Sequence, residues 1–108
     1  MTRQEIIDEI KTKTTGFDAG AYNGFLALQI TLSDLNEPFY VEIKDGKLSI
    51  EPYEYHDKQA NLIISTKDFV KMINGKLNSM LAFTTGKLKI EGSIERAKEL
   101  SELLKKSS

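Results

Sequence analysis

Few side chains in this sequence can do covalent or proton-transfer chemistry. There is no cysteine and a single histidine, His56, in the run Tyr53-Glu54-Tyr55-His56-Asp57. Imidazole beside Glu54 or Asp57 would suit a metal ligand or a proton relay, because histidine titrates near neutrality and binds metals through its ring nitrogens. Either role needs further ligands or a nucleophile within reach. The sequence has no metal-ligand spacing, no glycine-rich phosphate loop and no Gly-x-Ser-x-Gly elbow. His56 therefore reads as a solvated loop residue, with no enzyme activity, metal or cofactor expected.

Better placed are residues suited to holding apolar matter. Phe69, Val70, Met72, Ile73, Leu77, Met80, Leu81 and Phe83 crowd into one short stretch. That is more apolar surface than one helical stripe needs. Such a surplus either packs densely, as protein interiors normally do, or lines a cavity whose flexible methionines adapt to varied alkyl chains.

The elements that would position these residues follow from local patterns. Thr2 and Glu5 have capping-box spacing ahead of Ile6, Ile7 and Ile10, which predicts a helix over about 2–13. Gly16 and Gly20 mark a loose connection. From Tyr22 to Leu32 the pattern alternates, with Leu26, Leu28, Ile30 and Leu32 on one face and Ala27, Gln29 and Thr31 on the other. Phe39, Val41 and Ile43 repeat the alternation up to Asp45-Gly46, a dipeptide that favours the type I′ hairpin turn. That turn sets Ile43 opposite Leu48 and Val41 opposite Ile50, and Pro52 ends the third strand.

After a polar and aromatic loop, Ala60, Leu62 and Ile64 predict a fourth strand. Ser65 or Thr66 caps the next helix, which Asn74-Gly75 breaks before Leu77. A short helix over about 78–85 holds Met80, Leu81 and Phe83, and Gly86 closes it. Leu88 and Ile90 form a fifth strand. Gly92-Ser93 then opens a last helix whose stripe is Ile94, Ala97, Leu100, Leu103 and Leu104, with Lys105 and Lys106 at its carboxyl end. That stripe suits core packing, although an amphipathic helix of this kind also serves elsewhere as a lid or membrane-touching element. The order of elements is α+β, with one apolar face per strand and helices covering one side of the sheet.

Composition bounds the rest. The 108 residues fit one domain over 1–108, 40% hydrophobic and 29% charged, a globular balance. Fifteen basic residues against 16 acidic ones leave a formal net charge of −1, which argues against holding nucleic acid through its phosphates. No apolar run approaches the roughly 20 residues that span a bilayer. The amino terminus lacks the apolar stretch of a secretory signal, and Lys105-Lys106-Ser107-Ser108 is not a Ser-Lys-Leu type address. A cytoplasmic location is the expectation.

The carboxyl half carries a resemblance. Ser65-Thr66-Lys67-Asp68-Phe69, Gly75-Lys76-Leu77, Ala82-Phe83 and Gly86-Lys87-Leu88-Lys89-Ile90-Glu91-Gly92, followed by Ala97, resemble the signature region of the sterol carrier protein 2 family. The order of elements before this region fits as well. The resemblance implies a mixed sheet of five strands in order 3-2-1-4-5, with helices packed on one face. It also implies an apolar tunnel between sheet and helices for a fatty acid, fatty acyl-CoA, sterol or other lipid. The implied tunnel residues are Phe69, Ile73, Leu77, Met80, Leu81 and Phe83, with Leu100, Leu103 and Leu104 near one end.

Two positions depart from the family's habit. Asn78-Ser79-Met80 stands where Asp-Pro-Gln is common, and Thr84 stands where methionine is common. Both weaken sterol as the particular ligand and affect lipid binding in general less. The expected partner is therefore a lipid, with transient membrane contact. The rival reading is a non-catalytic interaction module, its apolar surface closed by a second subunit in a homodimer or by a protein partner.

Overall fold

In the computed structural model, which describes residues 1–107 with side chains through Leu104, the chain opens on the capping box. The Thr2 hydroxyl accepts from the Glu5 amide at 3.2 Å, and the Glu5 carboxylate accepts from the Thr2 amide at 2.9 Å. These bonds satisfy amides that a helix start otherwise leaves orphaned. Helix α1 (Arg3–Lys13) buries Ile6, Ile7 and Ile10. The connection after it contains a 3-10 turn at Ala19–Ala21, begun by the Asp18 carboxylate accepting from the Gly20 amide. The glycines alone suggest only a loose link there.

Five strands follow the alternation: β1 (Leu26–Leu32), β2 (Glu37–Lys44), β3 (Lys47–Glu51), β4 (Ala60–Ile64) and β5 (Leu88–Gly92). They form one sheet in order β3-β2-β1-β4-β5, parallel between β1 and β4 and antiparallel elsewhere. Asp45 (φ 52°) and Gly46 (φ 76°) both take the left-handed conformation that a type I′ turn needs. Ile43 accordingly pairs with Leu48, and Val41 with Ile50. Ile50 is buried and Leu48 half-buried, so both face the core side. Strand β2 begins earlier than its apolar alternation, at Glu37. Pro38 fits there because β3 reaches no further along β2 than Tyr40, so no ladder bond on that side needs the missing N–H.

One face of the sheet meets α1, α2 (Thr66–Ile73) and α4 (Ile94–Ser107), as the one-sided pattern requires. The opposite face is covered in part as well. Ala27 is fully buried and Gln29 is 7% exposed. Their cover is the segment between β3 and β4. The Gln29 side-chain oxygen accepts from the Tyr55 amide, the Tyr55 ring meets Tyr40 edge-on at 5.1 Å, and the Gln59 side-chain oxygen accepts from the Ala27 amide. His56 lies exposed on this segment.

Candidate functional site

Helix α2 is fixed at its start by the turn between β1 and β2. The Asp34 carboxylate accepts from both the amide and the hydroxyl of Thr66, at 2.7 and 2.9 Å. The amide bond is the main reason the Asp34 carboxyl sits below the usual carboxylate range. Ser65 caps the helix through the Asp68 amide. This anchoring sets Phe69 against the sheet, where it meets Phe39 edge-on at 5.8 Å. Gly75 (φ 74°) then reverses the chain, as Asn74-Gly75 predicts. The Asn78 side chain caps α3 (Ser79–Thr84) by accepting from the Met80 and Leu81 amides.

An apolar cleft lies where α3, the ends of β4 and β5, and the first turns of α4 converge. Leu62, Leu88 and Ile90 form its floor. Met72, Met80 and Phe83 form one wall, and Ile94 and Ala97 the other. The polar groups at the border are the Ser79 and Ser101 hydroxyls and Lys98. The cleft's free volume is only about 30 Å³. Drug-sized ligands occupy pockets of about 300–1,000 Å³, so the cleft as it stands is too small for one.

A second apolar gap, with room of about 10 Å³, opens under the other end of α4. Ile10, Phe17, Val41, Ile43, Leu48 and Ile50 border it together with Leu100, Leu103 and Leu104. Ser101 borders the first space and its neighbour Leu100 the second, so two different faces of α4 meet them.

The residues singled out from sequence therefore fall into several groups. Met80 and Phe83 line the cleft, while Leu100, Leu103 and Leu104 line the far gap. Phe69 and Ile73 are buried and border neither space. Leu77 is half-buried and lines a neighbouring space of about 110 Å³ that shares Met72, Ser79 and Ser101 with the cleft. Leu81 is 57% exposed and points away from the cleft. Met72, Ile94, Lys98 and Ser101 also line the cleft, and of these the sequence reading counts only Met72 among the residues that could wall a cavity. The spacing Ile94-Ala97-Lys98-Ser101 is the helical signal that groups three of them on one face. Ile94 is half exposed rather than packed, because it stands at the mouth. The Lys105 and Lys106 side chains lie outside the described residues. Among the described residues, no group of three metal-ligating side chains comes together, and no helix is long and apolar enough to cross a membrane.

A mixed sheet in this strand order, with helices packed on one face, is the fold of the sterol carrier protein 2-like α+β domains. The SCP-2 sterol transfer family matches residues 10–105, and the chain belongs to it. Binding or transfer of lipids in general comes with that membership.

Two curated relatives show the range. The chain is 34% identical over 86 residues to peroxisomal multifunctional enzyme A of Dictyostelium discoideum, covering 79% of this chain and 20% of the enzyme. It is 33% identical over 63 residues to sterol carrier protein 2 of Arabidopsis thaliana, covering 58% of this chain and 51% of the relative. The chain thus spans between a fifth and about half of these relatives. The solution structure of palmitated SCP2L2 from Aedes aegypti superposes with a TM-score of 0.68 at 20% identity, covering 96% of this chain and 95% of that one. At that identity the likeness speaks for the fold.

Proposed function

We propose that this chain binds a lipid with at least one long alkyl chain in the cleft bordered by Met80, Phe83, Ile90, Ile94 and Ala97, and carries it in that form. The observation that supports this most is the position of the cleft. It lies between sheet and helices, its floor and walls are almost wholly apolar, and half-exposed Met80 and Ile94 flank its mouth. The palmitated mosquito relative shares the fold, which favours a fatty acyl chain as the ligand class. Loading requires α3 and α4 to move outward. On this reading the two spaces, which meet different faces of α4, join into a tunnel beneath it, bringing Leu100, Leu103 and Leu104 to its far end.

Catalysis is not part of this reading. The multifunctional enzyme matched by the chain is matched over only 20% of its length, so its reactions stay with that protein. The rival, an interaction module closed by a second subunit, draws on the same exposed Met80, Leu81 and Ile94. The two separate on one variant. Met80→Trp places a large ring at the mouth, at a position 51% exposed in the free protein. Uptake of a fluorescent fatty acid should fall several-fold while thermal stability changes little, since exposed substitutions are typically worth about ±0.5 kcal/mol. Failure of the wild type to bind any fatty acid, together with a dimer in solution, would favour the rival.

A further inference from the structure

Between Asp68 and Glu91 the chain carries four lysines, Lys71, Lys76, Lys87 and Lys89, and no acidic residue. The whole chain is net negative, so positive charge is concentrated in the segment that builds the end of α2, α3 and the start of β5. All four lysines are exposed, and among the described residues none forms an ion pair. Lys76 and Lys87 stand just outside the two ends of α3. Between them Met80 and Leu81 are 51% and 57% exposed, and Ile94, which shares the cleft mouth with Met80, is 50% exposed. Lys98 adds a cation at the rim.

The acidic groups nearest in sequence are placed elsewhere. Asp68 belongs to the first turn of α2, and Glu91 accepts from Asn61 on the outer sheet face. Glu95, in the first turn of α4, directly follows Ile94 in the chain. Lys89 alternates with the cleft-lining Leu88 and Ile90 and so lies on the outer face of β5. Lys76 and Lys87 on either side of α3, with Lys98 at the cleft rim, are therefore the cations that frame the exposed apolar tips.

Exposed apolar side chains grouped within a polar rim mark an interaction surface, and here the rim is basic. We infer that α3, with Met80 and Leu81 bracketed by Lys76 and Lys87, docks on an anionic phospholipid bilayer with the cleft mouth turned towards the membrane. A second copy seated symmetrically on this face would bring the same lysines together, and like charges oppose that pairing. An anionic bilayer satisfies both features, taking the apolar tips at its headgroup boundary and the lysines at its surface potential. The purpose of the docking, delivery of lipid through the mouth, rests on the carrier reading above.

The test is flotation of the full chain with phosphatidylcholine vesicles, with and without phosphatidylserine. The wild type should float only with the anionic vesicles, and added salt should release it. A lysine near such a surface strengthens binding about fivefold, so Lys76→Ala with Lys87→Ala should weaken flotation on the order of twentyfold. Leu81→Gln should weaken it further. Fatty-acid uptake measured without vesicles should be unchanged in the double-lysine variant. Equal flotation of the wild type and that variant would overturn the inference, as would no flotation at all. So would a vesicle-free dimer that Leu81→Gln dissolves. Vesicle docking by a wild type that takes up no fatty acid would instead sink the carrier reading and leave the docking surface standing.

Discussion

Phe69 shows how much one side chain settles. It has no exposed surface, meets Phe39 edge-on and sits just after the Asp34–Thr66 clip that fixes the start of α2. Phe69→Ala should cost about 3–5 kcal/mol, read as a lowered urea midpoint at unchanged slope. A loss under about 1 kcal/mol would mean that the site collapses onto the gap. Tyr55 offers a test by pH. Its hydroxyl donates to the Glu42 carboxylate, and that bond, more than burial, pushes the phenol up to about 12. An unfolded tyrosine ionises near pH 10. The folded chain therefore holds this proton more tightly, so the contribution is complete below about pH 10 and lost as pH rises through about 12. Ultraviolet absorbance should show a phenol titrating last that Tyr55→Phe removes. Full tyrosine ionisation of the folded wild type near pH 10 would contradict the bond.

At the scale of elements, the sequence is most legible where structure depends on near neighbours. The Thr2–Glu5 box, the Asp45-Gly46 turn with its register, and the stops at Gly75 and Gly86 are all local chemistry. The second cover of the sheet is not legible. It depends on Gln29, Tyr55 and Gln59 meeting across 26 to 32 residues, and periodicity carries no such information. The cleft is legible in part. Hydropathy marks Met80, Leu81 and Ile94 as apolar, but only the packing of α3 and α4 shows which of them point outward.

Particular contacts make these elements testable. Gly92 (φ 95°) pairs with Ala60, and a Cβ there would lie 2.6 Å from the Gln59 carbonyl oxygen. Gly92→Ala should destabilise by more than about 1 kcal/mol, and an unchanged melting temperature would refute that close approach. Helix α4 is latched to the loop before β1, where the Tyr22 hydroxyl donates to Glu99 and Arg96 pairs with the same carboxylate at 3.0 Å. Burial, followed by that hydrogen bond, raises the Tyr22 phenol above its ordinary value. Tyr22→Phe should speed hydrogen exchange in α4 relative to α1 and hasten lipid loading. Unchanged α4 exchange would show that the latch does not hold the helix.

For the molecule as a whole, the question is how a cleft with about 30 Å³ of free room serves as a lipid site. The proposed answer is a closed free form, whose two apolar spaces under different faces of α4 would join when α3 and α4 move away from the sheet. Native mass spectrometry of the full chain, incubated with a long-chain fatty acid and desalted, tests this most directly. A carrier that opens in this way should show a one-to-one adduct in the wild type, strongly reduced in Met80→Trp, with both proteins in the same compact charge states. A wild type that shows no adduct, or an adduct that Met80→Trp leaves untouched, would contradict it.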